Sequence, residues 1–188
     1  MDRHTARDRV ENGRLPIPPG IKRFAFPGPL TRTGVPSIYF GGSRGYSATM
    51  DVKALLGTGF DRTLVGLDLV EIGEGRVRAC LVVTEAVQNF FGKLHGGAIA
   101  TLVDDVGTVA VMTADRYRRV GVTTDLHVSY LAAAEAGETV SIDAEVLRCG
   151  LHLAFVEVTL RRELRGDILA RGRMTKLLGS DTTLKSPR

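Results

Sequence analysis

One stretch of this 188-residue chain gathers residue types suited to work on a carbonyl group. Asn89-Phe90-Phe91-Gly92-Lys93-Leu94-His95-Gly96-Gly97 leads into an apolar run, and Asp104 and Asp105 follow about two helical turns later. Two glycines at a helix start let a substrate approach the backbone closely. The first N–H groups of a helix have no partner inside it. Backed by the positive end of the helix, they can hold a developing oxyanion. A carboxylate set in so apolar a helix costs folding free energy unless something partners it. Such carboxylates recur at active sites, where burial raises their pKa, and in purely structural networks. Asp104 therefore reads either as a reacting acid or as a core hydrogen-bond acceptor. His95, taken alone, reads as a capping or packing residue, and Asn89 as a turn residue.

Basic side chains flank this stretch. Arg116, Arg118 and Arg119 form a basic loop behind the apolar run, and arginine suits phosphate. Lys93 invites the same reading, and a solvated basic surface explains all four equally well. Other motifs carry less. Gly41-Gly42-Ser43-Arg44-Gly45 has the spacing of a nucleophile elbow, but that motif needs a strand, a sharp turn and a helix in a parallel sheet. His4, His95, His127 and His152 are scattered without the spacing of zinc ligands. His127 shares a strand face with Thr123 and Asp125, a pattern that a solvated face also produces. There is no P-loop and no dinucleotide fingerprint.

The elements that would position these residues follow from periodicity. Residues 96–114 predict a helix whose apolar positions, Ala98, Ile99, Leu102, Val103, Val106, Val109, Ala110 and Val111, cover most of its circumference. Residues 52–56 suggest a short helix. Residues 64–72 and 76–83 predict strands joined at Gly73-Glu74-Gly75, and a loop spans 84–94. Four more strands show period-two alternation. In the first, Val122, Thr124, Leu126, Val128 and Tyr130 share one face, and Thr123, Asp125, His127 and Ser129 the other. The next three alternate at Val140, Ile142, Ala144 and Val146; at Ala154, Val156, Val158 and Leu160; and at Ile168, Ala170, Gly172 and Met174. Turns at Cys149-Gly150-Leu151 and Arg165-Gly166-Asp167 join these three. Consecutive hairpins imply an antiparallel meander. The fold class is α+β, with a sheet wrapping one buried helix.

Six of the seven prolines lie between Pro16 and Pro36, and the first 48 residues carry eight basic and three acidic side chains. The expected organisation is a disordered extension over 1–48, a folded domain over 49–179 and a short tail over 180–188. The extension could serve organelle targeting: Arg3, Arg7, Arg9 and Arg14 favour this, and Asp2, Asp8 and Glu11 oppose it. The compartment, cytoplasmic or organellar, stays open. A net charge of +4 could steer a polyanion to the protein. Aromatic residues make up only 6%, and no nucleic-acid motif is present, which argues against nucleic acid as the partner. No stretch looks long and apolar enough to span a bilayer. Cys80 and Cys149 lie within strand-like runs and read as reduced core residues.

The full pattern resembles a known family. Asn89, His95-Gly96-Gly97 and Asp104, followed by Gly121-Val122-Thr123-Thr124-Asp125, are similar to the acyl-coenzyme A thioesterase 13 and phenylacetyl-CoA thioesterase-like group of hotdog proteins. The likeness runs from about Phe60 to Leu178 and includes Ala154-Phe155 and Ala170-Arg171-Gly172-Arg173. It implies a hotdog fold and hydrolysis of an acyl-CoA thioester without metal or redox cofactor. Under it Asp104 corresponds to the acid that activates water or attacks the thioester. The Gly96 N–H polarises the carbonyl, and His95 and Asn89 hold the carbonyl and the attacking water. Thr123 stands where relatives have a serine near the acid; it keeps the hydroxyl and adds a methyl. The loop 115–119 is one residue longer than in those relatives. Gly97, Lys93, Arg116, Arg118 and Arg119 are the expected substrate contacts. The family builds its site between two subunits, so a homodimer, and beyond it a homotetramer, is expected. A non-catalytic acyl-CoA-binding protein and a hotdog 2-enoyl-CoA hydratase are the alternatives.

Overall fold

The computed structural model describes residues 59–179. The expectations for 1–48, the helix at 52–56, the glycine-rich motif at 41–45, the domain start at 49 and the tail 180–188 lie outside the described residues. A 3₁₀ turn, Gly59–Leu64, comes first, followed by β1 (Asp68–Gly73) and β2 (Arg76–Val82). After a second 3₁₀ turn at Glu85–Val87 the chain enters α1 (Gly96–Ala114). Four strands complete the domain: β3 (Val122–Tyr130), β4 (Thr139–Cys149), β5 (Leu153–Arg162) and β6 (Ile168–Leu177). The first strand begins later than its apolar pattern suggests, because Leu64 closes the 3₁₀ turn and packs into the core from there.

All six strands form one antiparallel sheet in the order β1-β2-β4-β5-β6-β3. The β1-β2 hairpin and the β4-β5-β6 meander are as expected. A meander throughout is not: β3 crosses to the far edge and pairs with β6, while β2 pairs with β4. The reason is α1, which separates β2 from β3 in sequence and has to lie across the sheet before the chain returns at the other side.

The helix is where the sequence put it, and its nineteen residues bury Ile99, Leu102, Val103, Val106, Val109, Ala110 and Val111 completely or nearly so. Facing them are Val77, Ala79 and Leu81 of β2, Val140, Ile142 and Ala144 of β4, Val156, Val158 and Leu160 of β5, and Ala170 and Met174 of β6. By length and composition α1 could cross a membrane, which corrects the expectation that no stretch could. The sheet wrapped around it supplies the apolar surroundings instead. Close packing here depends on glycine. A methyl on Gly172 would lie 2.4 Å from a Val103 methyl, and one on Gly107 would lie 2.5 Å from the Met174 terminal carbon. Both separations are far inside ordinary carbon contact distance. Helix and sheet can therefore approach this closely only without those side chains. A sheet curled over one long central helix is the hotdog arrangement.

Candidate active site

The loop before α1 is held at both ends. The His95 N–H donates to the Val87 carbonyl at 2.8 Å, and the Leu94 N–H donates to the Ala134 carbonyl at 2.9 Å. Inside the loop Asn89 makes the turn its type suggested: its Oδ1 accepts from the N–H groups of Phe91 and Lys93, and its own N–H reaches the Lys93 carbonyl. The amide nitrogen of its side chain is left without a partner among the described residues.

His95 is the N-cap of α1. Its Nδ1 accepts from the Gly97 N–H at 2.8 Å, which satisfies one of the orphan donors of the first turn. An accepting Nδ1 leaves the ring proton on Nε2, at the exposed side of the ring. Gly97 makes this possible, because a side chain there would begin 2.9 Å from that same nitrogen. Its N–H is thus spent on His95. The Gly96 N–H has no acceptor among the described residues. Tyr130, which sequence reasoning did not single out, stands over this point and donates its hydroxyl proton to the Gly96 carbonyl at 3.2 Å. No signal in its own surroundings marks it: it ends a strand as an ordinary aromatic.

Eight residues further along α1, Thr101, Asp104, Asp105 and Thr108 form the helix's one polar stripe. Asp104 is not the buried acid that the apolar pattern suggested, since its side chain is 40% exposed. One oxygen is anchored. Oδ1 accepts from the Thr123 hydroxyl at 2.6 Å and lies 3.6 Å from the Lys176 ammonium. Oδ2 accepts nothing from the described residues. The more enclosed carboxyl of the two is the neighbouring Asp105, half-buried, whose Oδ2 is shut away from solvent without a partner. Burial, then the charges of Asp61 and Asp104, push its pKa up to about 7, against the opposing pull of Lys176.

Thr123 reaches Asp104 through a bulge in β3. Thr123 pairs with Lys176 and Asp125 with Thr175, so Thr124 is an extra residue. Residues opposite one another in an antiparallel pair share a face. The partners Lys176, Met174, Gly172 and Ala170 are all buried on the helix side, so Thr123, Leu126, Val128 and Tyr130 face the helix together. Strict alternation had set Thr123 on the opposite face from Val128 and Tyr130, and the bulge reverses this. Asp125 and His127 lie on the exposed side, as a solvated strand face would. Lys176 was legible but unread: it continues the buried alternation Ala170, Gly172, Met174.

The basic residues are mostly engaged elsewhere. Arg119 is buried and forms a fork with Asp115, the C-cap of α1, and its Nη1 donates to the carbonyls of Leu151, Leu178 and Gly179. It ties the helix end to the β4-β5 turn and the last described residues, which corrects its reading as a phosphate contact. Arg118 donates to the carbonyls of Met112 and Thr113 at the helix end. Arg116 stacks on Tyr117 with 4.3 Å between its guanidinium carbon and the ring centre, and Lys93 pairs with Glu135. The arginine loop is at the opposite end of α1 from Gly96, so one chain does not bring it together with the helix entrance.

A free helix N-terminal N–H and a carboxylate with one anchored and one open oxygen are the parts of a site for acyl transfer. Comparison with known proteins agrees. Residues 91–169 match the model of the thioesterase superfamily. Human acyl-coenzyme A thioesterase 13 is 40% identical over 121 residues, which cover 64% of this chain and 86% of that protein. The chain belongs to the thioesterase superfamily. Among solved structures, zebra fish thioesterase superfamily member 2 superposes with a TM-score of 0.66 at 39% identity, covering 68% of this chain and 93% of that one. A protein from Streptococcus mutans, smu.793, solved bound to acetyl CoA, superposes with a TM-score of 0.56 at 26% identity, covering 60% of this chain and 88% of its own.

Proposed function

We propose that this thioesterase-superfamily chain hydrolyses the thioester of an acyl-CoA to a free carboxylic acid and CoA, at a site completed by a second copy. The observation that carries the reading is the state of Asp104, with Oδ1 held by Thr123 and Oδ2 open, in a protein whose α1 also presents an unpartnered Gly96 N–H. The human relative's name, acyl-coenzyme A thioesterase 13, supports acyl-CoA as substrate.

Helix geometry argues for two copies. Gly96 and Asp104 are eight residues apart on α1, about 12 Å along its axis at 1.5 Å per residue. A reacting carbonyl carbon has to lie about 3 Å from its attacking group while its oxygen meets the oxyanion donor. One helix cannot do both. Two copies related by a two-fold axis can, each offering its Gly96 to the other's Asp104. The β3 edge, which pairs only with β6 in one chain, is the natural seam.

In this arrangement the carbonyl oxygen lies against the Gly96 N–H of one copy, and the His95 Nε2–H and the Asn89 side-chain amide, both in the segment that enters the helix, help hold the carbonyl and the water. Asp104 of the other copy takes the proton from water through Oδ2, and the water oxygen bonds to the carbonyl carbon. The oxyanion collapses, the C–S bond breaks, and the CoA thiolate leaves and is protonated. In the nucleophilic version Oδ2 itself bonds to the carbonyl carbon, the C–S bond breaks as the CoA thiolate leaves and is protonated, and water then hydrolyses the resulting anhydride to free acid and Asp104. Arg116 and Lys93 are basic groups at the surface that could meet CoA phosphates. No step calls for a metal.

The test is thiol release from short, medium, long and aromatic acyl-CoAs, with the oligomeric state measured by light scattering on the same sample. Release that Asp104→Asn lowers by at least 100-fold is expected, in a dimer or tetramer. Absence of release from every substrate, loss of enoyl absorbance without free thiol, or full activity of Asp104→Asn would refute the assignment. A single turnover in ¹⁸O water separates base from nucleophile, since only the nucleophilic route puts label into Asp104.

A further inference from the structure

Lys176 is 4% exposed and lies on the helix-facing side of β6. A lysine this deep is costly, and burial lowers its pKa even with Asp104 and Asp105 pulling the other way. Packing alone does not call for it. Met174, two residues earlier on the same face, is buried as an uncharged side chain of similar length. What the charge does touch is Asp104: the ammonium lies 3.6 Å from Oδ1, the oxygen that Thr123 also holds. The groups facing Lys176 are Asp104 and Asp105 from α1 and Thr123 from β3, with Ala154 beside it on β5. Asp61, from the first 3₁₀ turn, bears on the pair through Asp105.

We propose that Lys176 is a positioning residue for the reaction: its ammonium balances the charge of Asp104 and fixes Oδ1 against Thr123, so that Oδ2 is the oxygen presented to water or thioester. This rests on the proposed hydrolytic role of Asp104. The lysine touches neither substrate nor the reacting oxygen; it acts through the carboxylate. A partly exposed carboxylate gains a fixed orientation from a cation on its protected side, where the buried lysine has little freedom to move. Asp105 complements the lysine from the buried side, at a distance that leaves its own Oδ2 unpartnered.

The test uses the full chain with the variants Lys176→Met, Lys176→Arg and Asp104→Asn, each checked for folding by thermal melting. With the opposite charge gone, the acid limb of the kcat/KM profile for thiol release should move to higher pH in Lys176→Met. KM should change less than kcat. Lys176→Arg, which keeps the charge, should leave the limb within a few tenths of the wild-type position. An unmoved limb in folded Lys176→Met overturns the proposal, whatever happens to the maximal rate. A second measurement stands if Lys176→Met does not fold. Coupling between two ionising groups is reciprocal, so the Lys176 Nζ titration followed by NMR should fall in Asp104→Asn relative to wild type. An unchanged Lys176 titration overturns the proposal independently. Full hydrolytic activity in Asp104→Asn would instead sink the assignment of Asp104, with the limb and NMR results still reporting separately on the lysine.

Discussion

Replacing Thr123 with valine removes a hydroxyl and keeps a β-branched side chain of nearly the same shape in β3. The change deletes the 2.6 Å hydrogen bond to Asp104 Oδ1 and little else. A hydrogen bond to a charged acceptor is worth about 1.5–3 kcal/mol. The Asp104 side chain is 40% exposed, so water can replace part of what the hydroxyl supplied, and about 1–2 kcal/mol is the better figure. If the bond orients Oδ2 for the reaction, that energy is lost from the transition state. At 1.36 kcal/mol per factor of ten, kcat/KM falls by about 5- to 30-fold. The assay is initial-rate thiol release from the best acyl-CoA found in the panel, with thermal melting of wild type and variant alongside. Thr123→Ser retains the hydroxyl and should recover most of the loss. Full activity in folded Thr123→Val, or a Thr123→Ser variant as poor as valine, would refute the argument that the bulge serves the carboxylate.

Two further predictions concern stability. Asp105 has its pKa pushed up to about 7 by burial first and by Asp61 and Asp104 next, against an unfolded value near 4. The folded chain therefore binds more protons than the unfolded one between those values, and stability declines as pH rises from about 4 to about 7. Asp105→Asn should flatten that decline and be the more stable protein at pH 7.5, by urea unfolding; an equally steep decline in the variant would show that Asp105 is not its source. Arg119→Ala strands the buried Asp115, whose burial alone would raise its pKa but whose bonds to Arg119 hold it below the usual carboxylate range. Loss of one partner of such a pair costs about 3–5 kcal/mol, and Arg119→Lys, lacking the fork, should recover little of it. Melting temperatures within a degree or two of wild type in Arg119→Ala would contradict the role given to this residue.

Much of the architecture could be read from the chain. The limits of α1 were visible because its apolar run is bounded by a Gly-Gly start and by the polar residues from Asp115 onward. β4, β5 and β6 were visible because each has one buried face. The path of β3 was not, since alternation reports which residues share a face and says nothing about which strand is the neighbour. The bulge at Thr124 was hidden for a related reason: Thr123, Thr124 and Asp125 are all polar, so the shift of phase leaves no mark in the pattern. Asp104 and Asp105 were both conspicuous, but adjacent helical positions differ by about 100° in direction, and composition alone could not tell which of them the sheet edge would leave open. The arginines misled because charge is apparent in a sequence and burial is not. Arg119 spends its guanidinium on Asp115 and on carbonyls that come from 32 and 59 residues further along the chain, contacts that no local window contains.

The single supernumerary residue in β3 acts as a phase shifter for the strand. Upstream of Thr124, odd-numbered side chains look toward the helix; downstream, even-numbered ones do. One strand thereby delivers a hydroxyl to Asp104 at one end and a phenol to the Gly96 carbonyl at the other, two targets that unbroken alternation would have placed on opposite sides. Pairing Thr124 into an unbroken ladder, with no residue removed, would turn one of the two groups out to solvent. Anyone grafting this segment onto another scaffold, or threading a distant homologue through it, has therefore to treat the bulge in β3 as part of its chemistry.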